Sequence, residues 1–74
     1  MDYNKAFTPE QLVEIAMFSE SESIKALFAG LERGFILDWR TGATIEAREK
    51  AYADLMALQD VQFIVRDIAK KMKE

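Results

Sequence analysis

The sequence predicts an all-α fold, in which residues 22–39 and 44–73 form an antiparallel helical hairpin and residues 9–18 form a short helix before it. The main observation is a stretch of about 29 residues, from Thr44 to Met72, that contains no Gly or Pro. Its apolar residues recur at seven-residue spacing, with two more in the steps between them: Ala51, Leu58, Val65 and Met72, then Val61 and Ile68. This is the seam of a helix that packs lengthwise on another helix.

Size and composition predict one helical domain over residues 1–74, with residues 1–7 as an N-terminal arm that docks through Tyr3 and Phe7. The chain has no Cys and no His, which removes disulfides and the usual metal ligands. We therefore expect no metal and no cofactor. Half of the residues are hydrophobic, which favours a folded protein over a disordered one.

Charge is distributed unevenly along the chain. Seven acidic and three basic side chains give residues 1–38 a net charge of -4, whereas six acidic and seven basic side chains give residues 39–74 a net charge of +1. The acidic front would repel a phosphate backbone, which argues against nucleic acid as the main partner. No apolar run is long enough for a membrane span and the start lacks a signal peptide's layout, so we expect a cytoplasmic protein.

Two helix starts have recognisable signals. Thr8 is the expected N-cap of the first helix, because Pro9 suits the first helical position and Gln11 completes a capping box. The second helix follows the serines and glutamates of residues 19–23.

Two glycines lie inside the second predicted helix. Gly30 and Gly34 each cost roughly 1 kcal/mol relative to Ala, which suggests a groove where another backbone approaches closely. The alternative interpretation is that Gly34 ends this helix.

The connection between the two long helices is residues 40–44. We expect Gly42 to take a left-handed conformation and Thr44 to cap the last helix. Such a short connection makes the two helices antiparallel neighbours. Along the last helix, Glu46 with Lys50 and Asp67 with Lys71 are spaced for (i, i+4) ion pairs.

The last helix would be about 43 Å long, whereas a compact chain of this size has a radius of gyration near 11 Å. The chain is too short to cover so long a seam, so we expect an oligomer or a foreign protein partner. The expected interface residues are Trp39, Arg48, Tyr52, Leu58, Val61, Phe63, Val65, Ile68 and Met72. Instead of an interface role, Trp39 could be a packing anchor for the hairpin. Arg48 could cover the Trp39 ring in a cation–π contact or pair with Asp38, and the alternative is a solvated side chain.

The stretch from Ile24 to Ile68 contains, in this order, the segments "LFAGLERGFILDWR", "TGAT", "EARE" and "AYADLMALQDV". This pattern resembles a class of small helical proteins of unknown role from tailed-phage and prophage genomes. The matching positions are Trp39, Arg48, Glu49, Leu55 and Leu58. The resemblance implies a phage origin, and with it a location in the host cytoplasm or on the virion.

The function that we predict is non-enzymatic. Catalysis by paired carboxylates needs a partly desolvated concave site, whereas the pairs here fall on polar faces. A protein–protein interaction module in virion assembly is the first hypothesis, and a small inhibitor of a host defence enzyme is the alternative. A nucleic-acid or nucleotide binder that uses the basic end of the chain ranks third.

Overall fold

The computed structural model describes residues 1–73, and all regular structure in that range is helical. There are four helices in this range: α1 (Tyr3–Ala6), α2 (Pro9–Ser19), α3 (Glu22–Thr41) and α4 (Ile45–Lys73). The prediction of an all-α fold is confirmed, and the three longer helices begin and end within two residues of the predicted bounds.

The first residues are more regular than the predicted arm. Asp2 accepts a hydrogen bond from the backbone N–H of Asn4 at 3.1 Å and so caps the four-residue helix α1. Both Tyr3 and Phe7 are partly buried, as expected of residues that dock on the other helices.

The predicted caps of α2 and α4 are confirmed. Thr8 Oγ1 accepts from the N–H of Gln11 at 3.1 Å, and Gln11 Oε1 accepts from the N–H of Thr8 at 2.9 Å, which completes the capping box. At the start of α4, Thr44 Oγ1 accepts from the N–H of Ala47 at 3.1 Å. These bonds satisfy backbone donors that have no partner within the helix, and they fix where α2 and α4 begin.

The molecule is elongated because α4 runs unbroken along its whole length. The extents are 45 × 26 × 16 Å and the radius of gyration is 14.9 Å. The longest extent is close to the about 43 Å expected for a helix of this length. Both α2 and α3 pack against α4. The end of α3 and the start of α4 line one groove, and the start of α3 and the end of α4 line another.

The buried core within residues 1–73 is small, and three of its four residues lie on α4. Its members are Leu12, Ala51, Leu58 and Ile68, and Ile68 is only 2% exposed. Ala51, Leu58 and Ile68 belong to the six-residue seam predicted on α4, so the packing of α2 and α3 on α4 buries half of that seam.

The predictions for the glycines are wrong in two respects. A Cβ built on Gly30 or Gly34 would meet nothing within 4 Å, so within residues 1–73 no other helix approaches either glycine, and α3 continues through Gly34 to Thr41. Gly42 has φ -58° and ψ 125°, which is not left-handed. Space explains the glycine there, because a Cβ would lie 2.9 Å from Arg48 Cγ and 3.1 Å from the Asp38 carbonyl oxygen.

Of the two predicted ion pairs on α4, the structure contains the one between Asp67 and Lys71, at 3.5 Å. Lys50 does not pair with Glu46. It pairs with Asp54 at 3.0 Å, which is the next (i, i+4) carboxylate along the same helix.

Candidate interaction surface

The side of α4 away from the core carries a second apolar stripe, which we call the outer stripe. It consists of Ile45, Tyr52, Met56 and Phe63. These residues follow one another in steps of seven, four and seven, which places them within about 40° of one another around the helix axis. Ile45 is 72% exposed, Tyr52 54% and Phe63 67%, and Met56 is partly buried. Three of the four side chains of the stripe are therefore more than half exposed within the described residues 1–73.

Trp39 extends the outer stripe onto α3. Its side chain is 49% exposed, and it lines a shallow cavity of about 250 Å³ with Ile45, Arg48, Glu49 and Tyr52. Trp, Tyr and Arg are residue types that are enriched at the centres of protein interfaces, whereas Glu is depleted there.

Arg48 takes a role that the sequence did not predict. Its Nε donates a hydrogen bond to the Gly42 carbonyl oxygen at 3.1 Å, six residues earlier in the chain. This bond closes the turn between α3 and α4, because it satisfies a carbonyl just after α3 ends. In residues 1–73 the one cation–π contact is that of Lys71 with Tyr3, so neither the predicted Trp39 ring contact nor the Asp38 pair of Arg48 is formed.

The predicted interface residues on the seam of α4 differ in how far the rest of the protein buries them. Leu58 and Ile68 are buried in the core of the single chain, so they cannot contact a partner in this conformation, and their assignment to an interface is corrected. The cause is that α2 and α3 cover this side of α4. Val65 is partly buried for the same reason. Val61 and Met72 remain 49% and 45% exposed.

Ile45 is the interface candidate that the sequence interpretation missed. It is the most exposed residue of the outer stripe and lies seven residues before Tyr52. That spacing could have identified it, because the predicted helix of residues 44–73 already contained Ile45.

A small polar cluster fixes the N-terminus to α4. The Tyr3 hydroxyl donates to Asp67 Oδ2 at 2.8 Å, and Lys71 Nζ lies 4.9 Å from the centre of the Tyr3 ring. The hydrogen bond is the main cause that lowers the pKa of Asp67, and the positive charges of Lys71 and Lys70 lower it further. The same hydrogen bond raises the pKa of Tyr3, with a smaller contribution from desolvation.

Within residues 1–73, no three His, Cys, Asp or Glu side chains are close enough together to hold a metal ion. No helix in the same range combines the length and the apolar character that a bilayer crossing requires.

Comparison of the chain with protein-family models, with curated proteins and with solved structures finds no match.

Proposed function

We propose that the protein is a non-enzymatic helical module that binds a larger protein through the outer stripe of α4 and Trp39. The packing of α3 against α4 as an antiparallel hairpin keeps the residues of this surface in fixed positions. The observation that carries the proposal is the exposure of large apolar side chains in one line, with Ile45 at 72%, Phe63 at 67% and Tyr52 at 54%.

The energetics favour binding over leaving this stripe in water. Fully burying a large apolar side chain contributes about 1.5–3 kcal/mol. Trp39 and Tyr52 belong to the residue types that dominate the energetics of protein interfaces. Together these side chains offset the cost of association, which is at least several kcal/mol.

The spacing of the outer stripe favours a helix as the element that the partner supplies. Steps of seven, four and seven residues along α4 match the way that helices pack side by side, with side chains of one inserted between those of the other. A partner helix laid along α4 would cover Tyr52 and Phe63 together, and its end would reach the cavity beside Trp39.

The setting that we propose is the assembly of a phage particle. The support for it is the resemblance of residues 24–68 to small helical proteins of tailed phages, together with the exposed outer stripe. The alternative, an inhibitor of a host enzyme, would use the same surface, so the identity of the partner separates the two.

The experiment places a photo-crosslinking amino acid, benzoylphenylalanine, at position 63 in cells that produce the protein with its natural partners. The matched control carries it at position 37, because Leu37 is 59% exposed on the side of α3 away from the outer stripe. The proposal predicts a defined adduct with a virion protein from position 63 and none from position 37. A host enzyme in that adduct would favour the inhibitor instead. Equal labelling from both positions would contradict a specific surface.

A further inference from the structure

A second surface, separate from the outer stripe, is the groove between the start of α3 and the end of α4. It has a volume of about 570 Å³. Its floor is apolar and is formed by Ile24, Phe28 and Val65, with alanines between them. Four basic side chains stand around it against two carboxylates: Lys25, Arg66, Lys70 and Lys73 against Glu20 and Glu32. The rim is therefore net positive in a chain whose overall charge is -3.

Existing ion pairs leave part of that positive charge available. Lys73 pairs with Glu20 at 2.8 Å, which neutralises one of the four cations within the groove. Lys25 lies 3.5 Å from Glu22, a pair in which both side chains are largely exposed. For Arg66 and Lys70 there is no ion pair within residues 1–73. A ligand for this groove must accordingly be acidic at its edges and apolar at its centre.

The outward face of α2 has this composition. Glu10, Val13, Glu14 and Met17 lie within about 100° of one another around the axis of α2. Val13 is 44% exposed and Met17 is 68% exposed, although both are large apolar side chains. The helix carries no basic residue from Pro9 to Ser19.

The dimensions of the two surfaces also agree. With 11 residues, α2 is about 16 Å long. The walls of the groove span residues 24–32 of α3 and 62–73 of α4, which correspond to about 13 and 18 Å of helix. Met17 and Val13 would meet the apolar floor, while Glu10 and Glu14 would meet the basic rim.

We propose that a second copy of this chain docks the outward face of its α2 into the groove between α3 and α4. The groove of one copy and the α2 of the next lie on different surfaces of the molecule, so the contact is heterologous. A single α2 face covers less area than a standard protein interface, and we therefore expect weak association, in the range of about 10–1,000 µM. None of the four outer-stripe residues lines the groove, so this proposal does not depend on the proposed function.

A charge-swap experiment on the full chain tests this contact by sedimentation equilibrium. One variant, K25E/K70E, makes the groove acidic, and the other, E10K/E14K, makes the face of α2 basic. Each variant alone should associate at least about tenfold more weakly than the wild type, because like charges now meet at the contact. An equimolar mixture of the two should recover the wild-type association to within about threefold, because each groove then finds an α2 of opposite charge.

Two controls separate this contact from general charge effects and from unfolding. The variant K5E/K50E changes the net charge by the same amount outside the groove, and it should associate as the wild type does. Met17→Glu tests the apolar part of the contact at a side chain whose exposure makes a folding defect unexpected, and it should also weaken association about tenfold. Thermal melts identify any variant that does not fold.

A wild-type chain that stays monomeric throughout the millimolar range would overturn the proposal. So would single variants that associate as the wild type does, or a mixture that stays as weak as its components. Substitution of Phe63 by Lys should leave this association unchanged, whereas it should abolish binding to a partner through the outer stripe. A result that contradicts the contact between α2 and the groove therefore leaves the proposed binding through the outer stripe untouched, and the reverse also holds.

Discussion

The Tyr3 hydroxyl donates a hydrogen bond to Asp67 Oδ2 at 2.8 Å and joins two residues that lie 64 positions apart in the chain. Lys71 contacts both members of this pair, because its ammonium lies over the Tyr3 ring and 3.5 Å from the Asp67 carboxylate. This contact fastens the four-residue helix α1 to the end of α4. Since α1 is too short to be stable by itself, its order depends on that contact.

The contribution of this contact should depend on pH in a defined way. The pKa of Asp67 is lowered, so the stabilisation is present above the ordinary carboxyl pKa of about 4 and is lost as the pH falls through the folded value. The pKa of Tyr3 is raised, so the stabilisation is present below about pH 10 and is lost as the pH rises through the folded value. We expect Tyr3→Phe to lower Tm between about pH 5 and 9.

The measurement is the thermal unfolding of wild type and Tyr3→Phe between pH 2 and 11, followed by circular dichroism. The two proteins should converge at both ends of this range. A difference in Tm that is constant over the whole range would show that the hydroxyl acts independently of the Asp67 charge. Asp67→Asn serves as the matched control, and it should remove the change at acid pH and most of the change at basic pH, because the Asp67 carboxylate is the main cause of both pKa shifts.

Truncation of a side chain to Ala should lower the free energy of unfolding on the buried side of α4 and leave it nearly unchanged on the exposed side. Ile68 is 2% exposed, so Ile68→Ala should lower the free energy of unfolding by about 2–5 kcal/mol. Phe63 is 67% exposed about 140° away around the helix, and Phe63→Ala should change stability by no more than about 0.5 kcal/mol. Urea unfolding of the two variants at one protein concentration gives both values. Similar losses for the two would mean that the outer stripe is already covered in the isolated protein.

Replacement of glycine by alanine should change the free energy of unfolding in opposite directions in α3 and in the connection. Gly30 and Gly34 face open space, so replacing either by Ala should raise the free energy of unfolding by about 0.5–1 kcal/mol through helix propensity. Gly42→Ala should lower it by about 1 kcal/mol, because the new methyl would press on Arg48 and on the Asp38 carbonyl oxygen. Thermal or urea unfolding of the three single variants decides this. Destabilisation by Gly30→Ala would indicate that a helix packs on this face of α3 in solution.

Local signals predicted much of the fold. Thr8 and Thr44 cap their helices as expected, because capping depends on the neighbouring three residues and needs no knowledge of tertiary structure. The seven-residue repeat located α4 because a helix must present one apolar side to its neighbour. The helix α1 was not predicted, since a four-residue helix has no periodicity of its own and is held by the contact of Tyr3 with Asp67.

The side of α4 that remains exposed could not be predicted with the same accuracy. Leu58 and Ile68 have the pattern of an interface, and they are covered instead by the chain's own helices. Periodicity shows which residues share a side, but the length of cover that α2 and α3 supply is a property of the tertiary packing. The prediction for Gly30 and Gly34 was wrong for a similar reason, because their spacing alone does not show whether another helix packs against them.

The central claim is that α4 uses one side for its own core and presents the other side to a protein partner. Hydroxyl-radical footprinting of the isolated chain and of the chain in its natural assembly tests this most directly, since oxidation reports the solvent exposure of each side chain. The account predicts that Trp39, Tyr52 and Phe63 are oxidised in the isolated chain and protected in the assembly, with Leu37 unchanged between the two. Oxidation of these three side chains at the same rate in both samples would contradict it.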